Sequence, residues 1–141
     1  MKEKQTQLLP DKPSSKFIVL GEDDIDDQEI LQEVFFEADS SLRLQFFNNG
    51  RKVISHLESS GHDLPCLIIL DYNMPELNGA EILKILSRDE RLRSIPKIIW
   101  STSDAPVYKS ICLEYGASDY LVKPSKIDVL ENMVKYMLSF C

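Results

Sequence analysis

A few acidic, basic and hydroxyl residues in this chain each stand directly behind a short apolar run. Glu22, Asp23 and Asp24 follow Phe17-Ile18-Val19-Leu20-Gly21, and Asp71 follows Leu67-Ile68-Ile69-Leu70. Ser101 follows Ile98-Ile99-Trp100, and Lys123 follows Tyr120-Leu121-Val122. Carboxylates about 4 Å apart repel by on the order of 4 kcal/mol per pair at an effective dielectric of about 20. A convergent set of them therefore needs a cation or shifted pKa values. Oxygen ligands with no His or Cys among them suit Mg²⁺ or a similar hard ion. The two histidines, His56 and His62, fall on or after the second helix, away from this set. A nucleophilic carboxylate with a hard cation, a lysine and a hydroxyl suits phosphoryl transfer onto Asp71.

These residues converge only if the apolar runs are parallel strands of one sheet, whose C-terminal ends share an edge. Leu67–Leu70 shows no alternation, which suits a strand buried on both faces. Phe17–Leu20, Leu42–Phe47, Lys97–Trp100 and Tyr120–Val122 supply four more strands. Between them lie helical stripes: Ile30, Leu31, Val34 and Phe35; Val53, Ile54 and Leu57; Ile82, Leu83, Ile85 and Leu86, with Asn78 as a cap; and Val107, Ile111 and Tyr115, closed by Gly116. Ile127, Leu130, Met133, Val134, Met137 and Leu138 draw a final amphipathic helix. Five strands alternating with five helices predict an α/β fold with helices on both faces and right-handed crossovers.

The bulk properties narrow the function classes. The 141 residues suit one domain, with residues 1–15 as a flexible lead-in and residues 16–141 as the folded unit. A net charge of −7 argues against a nucleic-acid or anionic-lipid surface. No apolar run approaches the roughly 20 residues needed to span a bilayer. Cys66, Cys112 and Cys141 have no metal-ligand spacing and read as reduced thiols, which points to the cytoplasm.

Taken in order, VLGEDDIDD, LDYNMPELNG, IIWSTS and GASDYLVKP make the chain resemble the receiver domain of two-component response regulators. The intervals of 30 residues from Asp71 to Ser101 and 22 from Ser101 to Lys123 suit that family. The resemblance implies a three-layer (βα)5 flavodoxin-like fold with strand order 2-1-3-4-5. It implies that Asp71 takes a phosphoryl group from a histidine kinase or a histidine phosphotransfer protein. Glu22, Asp23, Asp71 and the backbone carbonyl of Asn73 would hold Mg²⁺ or Mn²⁺, with Asp24 outside the ligand set. Lys123 would contact the phosphoryl oxygens, across a cis bond to Pro124. Ser101 would be the switch hydroxyl and Tyr120 the aromatic that follows it. Departures from the family pattern are Gly21, Ser101 in place of the commoner threonine, and Ser125.

Only 18 residues follow Lys123, enough for one helix, so a stand-alone receiver is expected. Its signal would leave by protein contact, on the face made by the helix after Val107, the fifth strand and the last helix, or through a homodimer formed on phosphorylation. The resemblance implies self-assisted phosphorylation and slow autodephosphorylation rather than enzymatic turnover. Three other classes compete. An aspartyl-phosphate hydrolase would place a second acid two residues after its nucleophile, where this chain has Asn73. A flavodoxin-like cofactor binder would need a phosphate loop where this chain has the anion-repelling GEDD. A phosphorylation-independent binding module would have no use for the intact acids.

Overall fold

The three central strands are largely apolar because they are covered on both sides, whereas the two edge strands are only partly buried. The computed structural model describes residues 16–141, and the lead-in at residues 1–15 lies outside the described residues. The elements run β1 (Phe17–Gly21), α1 (Ile25–Ala38), β2 (Arg43–Phe47), α2 (Gly50–Ser59), β3 (Leu67–Asp71), α3 (Gly79–Leu86), α4 (Glu90–Arg93), β4 (Lys97–Ser101), α5 (Pro106–Glu114), β5 (Asp119–Val122) and α6 (Ile127–Leu138). All strand pairs are parallel, in the order β2-β1-β3-β4-β5. The expected α/β architecture and strand order are therefore present.

Alternate strand residues feed two cores. Val19, Ile68, Leu70 and Ile99 pack under Val53, Leu57, Ile82, Leu83 and Cys112 of α2, α3 and α5. Ile18, Leu20, Ile69, Ile98 and Trp100 pack under Leu31, Phe35, Leu130, Val134 and Met137 of α1 and α6. β1, β3 and β4 are buried at every position. Burying both faces leaves no polar alternation to keep the register, so the crossovers and strand-end hydrogen bonds must set it.

Several expectations need correction. There are six helices among the described residues, because Glu90–Arg93 forms one turn capped by Asp89. A four-residue element is too short to produce a helical stripe, so periodicity passes over it. Ile30, Val107 and Ile127, read as core-facing, are 37%, 58% and 52% exposed. The Lys123–Pro124 bond is trans, since no cis peptide occurs among the described residues. The X–Pro isomers differ by only about 0.5–1 kcal/mol intrinsically, with trans favoured. The cysteines are not all free: Cys66 and Cys141 form a disulfide, with 5.0 Å between Cα atoms. α6 returns the C-terminus to the base of β3, a proximity that a separation of 75 residues gives no hint of. Cys112 alone is a free thiol, as expected; it is buried in the core, and burial pushes its pKa up to about 11.

Candidate functional site

β1 ends at Gly21, and Glu22 continues its ladder by donating its N–H to the Phe47 carbonyl, 2.9 Å away. Asp24 then caps α1, its side chain accepting the Asp27 N–H at 3.0 Å. Gln28, one helical turn later, donates its side-chain amide to the Glu22 carbonyl at 2.6 Å. The junction is thus tied from both sides, and Glu22 is held 1% exposed with its carboxylate accepting the Asp24 N–H at 3.1 Å. Asp24 is engaged in capping and does not belong to the converging acids.

β3 delivers Asp71, 6% exposed, opposite Trp100 of β4. The chain turns at once: the Asn73 N–H donates to Asp71 Oδ1 at 3.0 Å, and Gly79 N–H returns to the Tyr72 carbonyl at 2.8 Å. Glycine eases that return, because a Cβ on Gly79 would crowd Tyr72 Cα at 3.1 Å. Asn78 and Glu81 complete a capping box that fixes the start of α3. The departure at Gly21 also has a local reason. Met74 from this loop occupies the space, and a Cβ there would meet its Cε at 2.7 Å.

Lys123 follows β5, and its N–H donates to the Ser101 carbonyl at 2.7 Å. Its Nζ donates to three carboxylates: Asp71 Oδ2 at 2.8 Å, Asp27 Oδ2 at 2.8 Å and Glu22 Oε1 at 3.1 Å. Ser101 is fully buried, and its Oγ accepts the Ser103 N–H at 3.1 Å. Tyr120 is turned inward, 5% exposed, its hydroxyl donating to the Ser103 carbonyl at 2.7 Å. One short segment, Ser101–Ser103, therefore joins the hydroxyl, the aromatic and the lysine backbone. The two histidines stand apart, with His56 against the Phe47 ring at 4.8 Å and His62 exposed.

The charges do not balance. Glu22, Asp23 and Asp71 each offer an oxygen, all within 4.8 Å of one another, and Lys123 is the ammonium bonded to Glu22 and Asp71. Burial first, then hydrogen bonding to Asp71 and its charge, push the Glu22 pKa from an ordinary 4.5 up to about 7. For Lys123, burial alone would lower the pKa, but the hydrogen bonds to Asp27 and Asp71, the charge of Asp71 and the bond to Glu22 together hold it above its ordinary value. An all-oxygen set of three converging acids, one with its pKa raised by burial and by its neighbour, fits a hard divalent cation. The sequence reading missed Asp27. It stands behind no strand, and an aspartate in a helix's first turn is ordinary dipole chemistry.

The sequence matches the family described as the response regulator receiver domain over residues 18–135. The chain belongs to that family. Among related proteins, the two-component response regulator-like APRR1 of Arabidopsis thaliana is 34% identical over 112 residues, covering 79% of this chain and 18% of its own length. This receiver spans less than two thirds of the first curated relatives it matches. The phosphorylated cyanobacterial phytochrome response regulator RcpA superposes with a TM-score of 0.82 at 25% identity, covering 91% of this chain and 97% of its own. The Mn²⁺-bound form of response regulator Rcp1 gives 0.78 at 29% identity, covering 89% and 93%. No described helix is long and apolar enough to cross a membrane.

Proposed function

We propose that this receiver is a phosphorylation-controlled signalling switch with Asp71 as its acceptor. The observation that carries the reading is the Asp71 carboxylate, buried at the end of β3, 2.8 Å from the Lys123 ammonium and beside Glu22 and Asp23. One Asp71 oxygen attacks the phosphorus of a phosphohistidine on a histidine kinase or phosphotransfer protein. The P–N bond breaks, and the imidazole nitrogen keeps its electron pair and takes a proton. The product is an acyl phosphate on Asp71, and Lys123 balances charge on the moving group. Glu22, Asp23, Asp71 and the Asn73 carbonyl would hold Mg²⁺ or Mn²⁺. That cation supplies charge neutralisation for acceptor and phosphoryl oxygens.

Ser101 turns its hydroxyl from the Ser103 N–H to a phosphoryl oxygen, and Tyr120 loses or remakes its bond to the Ser103 carbonyl as that segment moves. The change reaches the face of α5, β5 and α6, where Val107, Tyr108, Ile127 and Tyr136 are exposed. A downstream protein, or a second copy of the chain, docks there. A slow loss of phosphate completes the cycle without turnover of an outside substrate. In this reading a cytoplasmic place rests on the proposed kinase donor alone, because the disulfide removes the argument from reduced thiols. Acetyl phosphate with Mg²⁺ tests the acceptor. Intact mass must rise by one HPO3 unit in the wild type and not in Asp71→Asn. An unmodified wild type under every donor tried would sink the reading.

A further inference from the structure

We infer that Asp27 is a positioning residue for Lys123, holding its ammonium at the site independently of the carboxylates that face the cation. The inference rests on the phosphate-acceptor reading and adds to it a residue from outside the strand ends. Three carboxylates share the Lys123 Nζ, and they are not equivalent. Glu22 and Asp71 belong to the group whose oxygens converge within 4.8 Å, whereas Asp27 does not. With those carboxylates turned to a cation, Asp27 would be the remaining anionic partner of the lysine.

The local structure prepares Asp27 for this. Its backbone N–H is taken by the Asp24 cap, which fixes the first turn of α1. Its carboxylate has no capping duty and reaches Lys123 Nζ at 2.8 Å, across 96 residues of chain. Asp27 is also less enclosed than its rivals, with its side chain 32% exposed against 2% for Glu22 and 8% for Asp71. A cavity of about 120 Å³ between α1 and the segment after β5 is walled by Asp27, Lys123 and Trp100. An ammonium has three donors. When a phosphoryl oxygen replaces Asp71 Oδ2 as one acceptor, the bond to Asp27 persists on another donor. Asp27 therefore steadies the lysine rather than competing with phosphate for it.

The chain's single tryptophan reports on this pair, since Lys123 Nζ lies 5.8 Å from the Trp100 ring centroid. Beryllofluoride, a mimic of the phosphoryl group, is titrated into the full chain with saturating Mg²⁺ while Trp100 emission is followed. Asp27→Asn raises the half-saturating concentration roughly three- to tenfold, the scale of one partly exposed charge-assisted bond. Asp27→Glu recovers most of the loss. In metal-free buffer, Asp27→Asn alters Trp100 emission in the wild type but adds nothing in a Lys123→Gln background. Beryllofluoride binding within twofold of wild type, or equal emission changes in both backgrounds, overturns the inference. A wild type that binds no beryllofluoride removes the acceptor reading instead, and the metal-free emission comparison then decides the pairing alone.

Discussion

Glu22 shows how a single side chain links the fold to the cation. Its pKa in the folded, metal-free protein is raised to about 7 by burial and by Asp71. The folded value lies above the unfolded one, so its stabilising contribution is fully present below about pH 4.5 and is lost as pH rises through about 7. A divalent cation needs the ionised form, so binding releases a proton below that range. The apparent Mg²⁺ affinity should therefore rise with pH, by at most about tenfold per unit, and level off above about pH 7. Titrations followed by Trp100 emission would show it, and Glu22→Gln should flatten the slope. Ser101→Ala should leave Mg²⁺ affinity within about twofold while weakening the conformational response to beryllofluoride, because the buried hydroxyl bonds the Ser103 N–H and not the acids. Glu22, Asp71, Ser101 and Lys123 were legible because each follows an apolar run, and strand ends in a parallel sheet share an edge. Asp27 was not, because a helical first turn gives no sign of which way a carboxylate faces.

Among the elements, the segment between α3 and β4 was the least legible. Lys97 opens β4 as part of an apparent apolar run, yet it is a lysine 4% exposed. Its Nζ donates to the carbonyls of Leu92 and Ile95 at 2.7 Å and of Arg93 at 3.3 Å, closing the end of α4. Burial lowers its pKa to about 8, which still leaves the ammonium charged at neutral pH. Lys97→Met keeps the length but strips partners from buried carbonyls. Urea unfolding should show a loss of about 1–3 kcal/mol, with phosphorylation unaffected because the start of β4 is remote from Asp71. The Asn78 cap and the Gly116 stop were legible from residue type alone, and Gly116 does take a left-handed φ of 102°.

At the scale of the whole molecule, alternation of strand and helix sufficed for the architecture, but not for what joins its ends. The Cys66–Cys141 disulfide fastens the residue before β3 to the C-terminus, at the edge of the sheet opposite Asp71. Lys16 supports the same corner by donating its Nζ to the Cys141 carbonyl at 3.3 Å. Closing a 75-residue loop removes unfolded-state freedom equivalent to about 4 kcal/mol. Thermal unfolding with and without a phosphine reductant should differ accordingly, and Cys141→Ser should match the reduced wild type. Phosphate acceptance should be the same in all three, since the disulfide and the acids lie at opposite ends of β3.

The claim at the centre of this account is that the phosphoryl group resides on Asp71. Borohydride reduces an aspartyl phosphate to homoserine, which peptide mass spectrometry can locate. After acetyl phosphate, Mg²⁺ and borohydride, homoserine should appear at position 71 and nowhere else. Homoserine at another aspartate, or none in a protein that has gained an HPO3 unit, would contradict it.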